Sequence, residues 1–214
     1  MGKEERKGAR RDRSKRALKR IPELGYYLVI TDAQATEVNY LNGVRDSIPL
    51  ELRDRLVIKV ITTPTNNLLE KCLELAAVEP QYRKPWIVFD RDQIKDFNQI
   101  IADAERQSVH VGWSNPCLEI WFHAYFADMP VNDLSSQCIH TFRTAFLRQT
   151  GQEYLKVDEG IYRKLCKFGD EKAAIRIAKD RYQHHEAGLK PSDMLSTTTL
   201  YMLIDEIRKI IEVK

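Results

Sequence analysis

The chain has 214 residues, 43% of them hydrophobic, and a formal net charge of +3. That length suits one large domain, or one domain with an extension, and that composition suits a packed core. No apolar run approaches the roughly 20 residues of a membrane span, and Met1 to Arg20 lacks the apolar stretch of a secretory leader, so a cytoplasmic protein is expected.

Four cysteines, Cys72, Cys117, Cys138 and Cys166, are scattered without a CxxC pair. That pattern argues against a zinc site or disulfide framework and fits a reducing compartment. Charge is distributed unevenly. Residues 1–20 hold ten Lys/Arg against three Asp/Glu, residues 21–140 ten against seventeen, and residues 141–190 eleven against seven. The first twenty residues read as a disordered basic arm. Such an arm is either a solvated leader or a contact for nucleic-acid phosphates through counterion release.

Four short apolar runs follow the arm: Tyr26–Ile30, Leu56–Ile61, Trp86–Phe89 and the weaker Val109–Trp113. Continuous rather than alternating apolar character predicts strands covered on both faces. Between them, helices are predicted over Thr36–Val44, Asn66–Val78 and Gln93–Gln107. Strands and helices alternating at these lengths predict βαβ units and a mainly parallel sheet. From Pro116 onward the pattern is helical: Cys117–Phe126, Asp133–Gln149, Gly160–Phe168, Glu171–Ala187 and Thr197–Glu212. The expected division is an α/β domain over 21–128 with a helical C-terminal region, 129–214, packed on it.

The acids fall at strand ends. The first strand runs into Thr31-Asp32 and the third into Asp90-Arg91-Asp92. Ligands of parallel α/β sheets gather beyond the carboxyl ends of the strands. If the first and third strands are neighbours, Asp32, Asp90 and Asp92 converge there. Clustered carboxylates repel unless a cation neutralises them, and Mg²⁺ (or Mn²⁺) suits a site of few carboxylates completed by water and phosphate. The structural alternative for Asp92 is a helix cap ahead of Gln93. Ser114 or Asn115 is placed to cap the next helix, with Pro116 at its first position and Glu119 in its first turn. Glu119 is thus either a favourable charge at a positive helix end or another carboxylate facing the crevice.

Thr36-Glu37-Val38-Asn39-Tyr40, Phe89-Asp90-Arg91-Asp92 and Ser114-Asn115-Pro116-Cys117-Leu118-Glu119-Ile120-Trp121 together resemble the RloB-like family, in order and in spacing. The resemblance covers roughly residues 21–128, with an echo around Pro191 to Leu203. It implies a Toprim-type fold, as in topoisomerases, primases and old-family nucleases, and a role in bacterial phage defence beside restriction genes or an ATP-hydrolysing partner. The family's first block usually reads Glu-Gly-Glu, where this chain has Asp32, Ala33 and Gln34. Asp32 keeps the charge with one methylene fewer; Gln34 has lost it.

The expected function is a Mg²⁺-dependent nuclease effector acting on DNA or RNA, transfer RNA included. Asp32, Asp90 and Asp92 would hold the metal, and Glu37 and Glu119 would serve as further catalytic acids. The alternative is a non-catalytic partner or sensor subunit with a degenerate site. No Walker loop, G-x-G-x-x-G or G-x-S-x-G is present, so any ATP hydrolysis must come from the partner. His184-His185 and the basic stretch Lys164, Lys167, Lys172, Arg176, Lys179 and Arg181 read as solvated helix faces, the latter with the option of tracking phosphates.

Overall fold

The computed structural model describes residues 22–33, 35–77, 83–92 and 94–213. The expected basic arm, and the amide at Gln34, lie outside the described residues.

The four predicted strands form: β1 (Gly25–Thr31), β2 (Leu56–Thr62), β3 (Arg83–Asp90) and β4 (His110–Asn115). The helices between them are α1 (Thr36–Asp46), α2 (Leu68–Ala77) and α3 (Phe97–Arg106). Beyond β4 come α4 (Glu119–Ala124), α5 (Ser135–Thr150), α6 (Ile161–Phe168) and α7 (Glu171–Gln183). The chain ends in a two-residue strand β5 (Thr197–Thr198) and α8 (Leu200–Glu212). The result is an α/β protein with a mostly parallel five-stranded sheet flanked by helices, an architecture consistent with a Toprim-like fold. None of the described helices is long and apolar enough to cross a membrane.

Strand order is β2-β1-β3-β4-β5, with β1 parallel to β2 and β3, β3 parallel to β4, and β5 antiparallel to β4. Side chains alternate between the faces with the period of two that a strand imposes. Tyr27, Val29, Trp86 and Val88 enter one core with α1 and the helices after β4. Leu28, Ile30, Ile87 and Phe89 enter the other with α2 and α3. This is why these strands read as unbroken apolar runs.

The topology reverses at β1. The chain leaves it for β2 on one side, then returns to lay β3 on the other. The loop after β1 therefore climbs toward α1 on one face, while the loop after β3 descends toward α3 on the opposite face. A crevice opens between the two carboxyl ends, the place where open α/β sheets take ligands.

Three sequence expectations need correction. Thr197 and Thr198 are not helical; they pair with Asn115 and Ser114 as β5. Three consecutive threonines have hydroxyls that compete for backbone partners, and here the Thr198 hydroxyl donates to the Trp113 carbonyl (3.0 Å) and the Thr199 hydroxyl to Val111 (2.9 Å). Asn115 does not cap a helix. Its amide donates to the carbonyls of Pro191 (3.1 Å), Ser192 (3.1 Å) and Met194 (3.0 Å), clamping the segment ahead of β5 to the sheet. Asp92 is not a cap either: it adopts a positive φ of 30°, and α3 starts only at Phe97.

The residues after 128 are therefore more than an appendage. One core runs from Tyr27 through Phe142 to Ile207. Glycines permit close approach across the junction: a Cβ on Gly43 of α1 would collide with the Tyr162 Cβ, and one on Gly112 would stand 3.2 Å from Leu200 Cδ1 and 3.3 Å from Val88 Cγ2. A polar chain also crosses the junction. Arg208 Nε donates to Glu171 (2.6 Å), the Tyr125 hydroxyl donates to the same carboxylate (3.0 Å), and Tyr40 and Tyr125 share a bond at 2.9 Å. Replacing Asn115 by Ala removes the donor to three carbonyls, that of Met194 buried and the other two part-buried, and a loss of about 1–3 kcal/mol is expected. Urea denaturation of wild type and Asn115→Ala measures it; equal midpoints would show that the clamp carries no stability.

Candidate functional site

Thr31 of β1 lies opposite Val88 of β3, so Asp32 leaves β1 beside the end of β3, where Asp90 is the last residue. Glu37 sits in the first turn of α1 and Glu119 in the first turn of α4, the helices that start from the loops after β1 and β4. Both are buried, Glu37 at 6% and Glu119 at 1% relative exposure. The sheet edge and two helix starts thus bring four carboxyls together.

Asp32, Asp90 and Glu119 each have a partner that fixes the carboxyl's direction. Asp32 accepts from the Thr65 hydroxyl at 2.6 Å, a residue of the short 3₁₀ turn after β2. Asp90 accepts from the Leu118 backbone N–H at 3.0 Å. Glu119 accepts from the buried Tyr154 hydroxyl at 2.9 Å and meets Lys156 Nζ at 3.7 Å. The loops around Asp90 are themselves laced: Arg91 N–H donates to Ser114 O (2.8 Å) and Asp92 N–H to Pro116 O (3.0 Å).

Mutual repulsion and loss of water set the protonation. Burial raises the Glu37 carboxyl from its ordinary 4.5 to about 7, with the charges of Glu119 and Asp32 adding to the effect. Asp90 is pushed well above the carboxylate range by desolvation first, then by Glu37 and Glu119. Glu37 and Asp90 act on each other as well, so the two acids titrate together and favour carrying protons over carrying two charges. Asp32 is raised by desolvation, with the Thr65 hydroxyl opposing.

Asp92 stands apart from this group. Its carboxylate accepts from the Ser135 hydroxyl at 2.9 Å, at the start of α5, and it is not among the charges acting most on Asp32, Glu37 or Asp90. The two histidines take no part: His185 Nε2 bonds the Thr197 hydroxyl (2.7 Å) and His184 Nδ1 the Asp180 carbonyl (2.5 Å). The basic stretch is partly spoken for, with Lys164 on Asp158, Lys172 on Glu212 and Arg181 on the Met129 carbonyl. Trp121 and Phe122 are fully buried in the core.

A model of the RloB-like protein family matches residues 27–207. The chain belongs to the RloB-like family. The match runs well past residue 128, through α5 to α7 and β5, so the RloB-like unit includes Tyr154, Lys156 and the Asn115 clamp as well as the acids. No curated protein and no solved structure matches the chain.

Oxygen is the sole donor type the four acids offer, and a hard divalent cation is the ion such donors suit. The raised pKa values of Asp32, Glu37 and Asp90 measure how strongly the group calls for a positive charge. Among the described residues, however, no group of three or more His, Cys, Asp or Glu stands in a ready-made chelating arrangement. Protonation of the raised carboxyls, Glu37 and Asp90 foremost, supplies the neutralisation instead.

A pH dependence follows. Glu37 binds its proton more tightly folded than unfolded, so its contribution to stability is present below the ordinary 4.5 and is lost as pH rises through about 7. Without added metal, the melting temperature is expected to fall between pH 5 and pH 8, and Glu37→Gln is expected to flatten that fall. A Gln variant with the wild-type pH slope would place the titration elsewhere.

Proposed function

We propose that this RloB-like chain is a divalent-metal-dependent nuclease, hydrolysing phosphodiesters of DNA or RNA as an effector of phage defence together with an ATP-hydrolysing partner. The observation that carries this reading is the convergence of Asp32, Glu37, Asp90 and Glu119 at the sheet's topological switch, close enough that their charges act on one another. A purely structural carboxyl cluster would be a net cost, since unpaired buried charge destabilises. Retaining four acids at the ligand-binding edge makes sense where a cation and a phosphate are to be received. The family resemblance points to the same Toprim-type chemistry.

Asp32 and Asp90 are the carboxylates that would hold Mg²⁺ or Mn²⁺, and Asp92 is left at the rim by its bond to Ser135. A bound ion supplies an acidified water and charge compensation at the phosphoryl group. Glu37, poised near pH 7, can take the proton from the attacking water, and a protonated carboxyl of the group can return one to the departing sugar oxygen. The water oxygen then bonds phosphorus as the P–O bond to the leaving group breaks. A polar cavity of about 700 Å³ lies along α1, lined among others by Asn39, Asn42, Arg45, Asp46, Glu159 and Arg163; none of the four acids lines it.

Two observations favour the second reading, a non-catalytic partner or sensor. The acids are not arranged as a ready chelate, and the first family block is altered to Asp32-Ala33-Gln34. Melts with and without Mn²⁺, and incubation with DNA and RNA pools beside the cognate ATPase, separate the two. For the nuclease, Mn²⁺ is expected to raise the wild-type melting temperature by several degrees and that of Asp90→Asn much less. Cleavage is expected to fall at least about 100-fold in Asp90→Asn and to persist in Asp32→Glu. Equal Mn²⁺ shifts in wild type and Asp90→Asn, with no metal-dependent cutting, would establish the adaptor.

A further inference from the structure

The segment between α5 and α6 has no regular secondary structure, yet it reaches the acid group twice. Tyr154 is buried and bonded to Glu119, while Leu155 and Val157 are 57% and 68% exposed. Lys156 and Val157 follow in a turn closed by the Asp158 N–H on the Leu155 carbonyl (3.0 Å). The stretch is fastened to the start of α1, because the Thr36 hydroxyl donates to the Lys156 carbonyl at 3.3 Å. This places the Lys156 ammonium against the acids, 3.7 Å from the same Glu119 oxygen that Tyr154 bonds.

Lys156 is ill-suited to a merely structural role. Glu119 already has a buried hydroxyl at 2.9 Å, whereas the Lys156 contact is long and its side chain is 51% exposed. An ion pair with that much solvent contributes little to stability. No other ion pair to Asp32, Glu37, Asp90 or Glu119 forms among the described residues. A polyanion approaching four carboxylates meets one cation at their rim, on a flexible stem with water still around its head.

We propose that Lys156 is a catalytic residue that binds a non-bridging oxygen of the scissile phosphate and offsets the charge that builds on it. The proposal rests on the nuclease reading above. It also means that the C-terminal region completes the active site, bringing the cation to the acids.

Binding of labelled single-stranded DNA and RNA to the full chain in Ca²⁺, across a salt titration, tests this without requiring turnover. Lys156→Ala is expected to weaken binding about 5- to 10-fold and to lower the slope of log affinity against log salt by about one, as loss of one phosphate contact does. Cleavage in Mn²⁺ is expected to drop at least about 100-fold, as for loss of a preorganised charge at a reacting centre. The Mn²⁺-induced melting shift should stay at the wild-type value, and Lys156→Arg should recover binding. Binding by Lys156→Ala within twofold of wild type, including the case where neither binds, overturns the phosphate contact. A Mn²⁺ shift lost in parallel would make Lys156 a positioning residue for Glu119. If wild type cuts while Lys156→Ala cuts equally, only this inference falls; if wild type cuts nothing and Asp90→Asn takes the full Mn²⁺ shift, the nuclease reading falls as well.

Discussion

Carboxylates repel one another, and the fold gathers four of them where β1 and β3 part. Desolvation is the largest cause acting on Asp32, Glu37 and Asp90, and their neighbours' negative charge adds to it for Glu37 and Asp90. Charge of that kind must be answered. Here the answer is distributed: a hydroxyl from Thr65, a backbone N–H from Leu118, a phenol from Tyr154, an ammonium from Lys156, and a raised affinity of Glu37 and Asp90 for protons. A divalent cation would do the same work with more charge, which links the protonation of the site to its proposed chemistry.

Holding those groups in place calls for rigidity behind them. Glu37 and Glu119 ride on α1 and α4, and both helices are bonded deeper in the core. Tyr40, three residues beyond Glu37, meets Tyr125 just past α4, and Tyr125 reaches Glu171, which in turn pairs with Arg208 of α8. A single polar chain thus ties the two acid-bearing helices to the C-terminal helices. On the other side of the sheet, Asn98 of α3 and Ser192 exchange two bonds, Asn98 Nδ2 donating to the Ser192 hydroxyl (2.8 Å) and Ser192 N–H to Asn98 Oδ1 (2.9 Å). With the Asn115 clamp, these bonds make residues 191–199 part of the sheet's own support.

The family boundary agrees with that physical unity. A match over residues 27–207 spans both the parallel sheet and the helices that close over it. Tyr154 and Lys156, which finish the acid group, come from the part that looks like an extension in the sequence. A unit ending near residue 128 would lose both, together with β5 and much of the first core.

Some of this was legible without a structure. Unbroken apolar runs marked buried parallel strands, because side chains alternating between two covered faces must all be apolar. An acid directly after such a run must lie at the sheet's carboxyl edge, so Asp32 and Asp90 could be placed there from their positions alone. Glu119 could be set in a first helical turn but not aimed. Other features depended on contacts between residues far apart in sequence. Asn115 looks like a helix cap locally, yet its amide is taken by carbonyls some 76 to 79 positions away. Asp92 has the spacing of a paired ligand, yet a positive φ and the Ser135 hydroxyl turn it aside. Tyr154 and Lys156 carry no motif at all; only packing of the segment before α6 against α1 brings them to Glu119. Periodicity and chain order determined the layers and the edge where the acids lie. Tertiary packing decided which acids meet, which one stands aside, and which cation answers them, because those are matters of distance between segments that the sequence keeps apart.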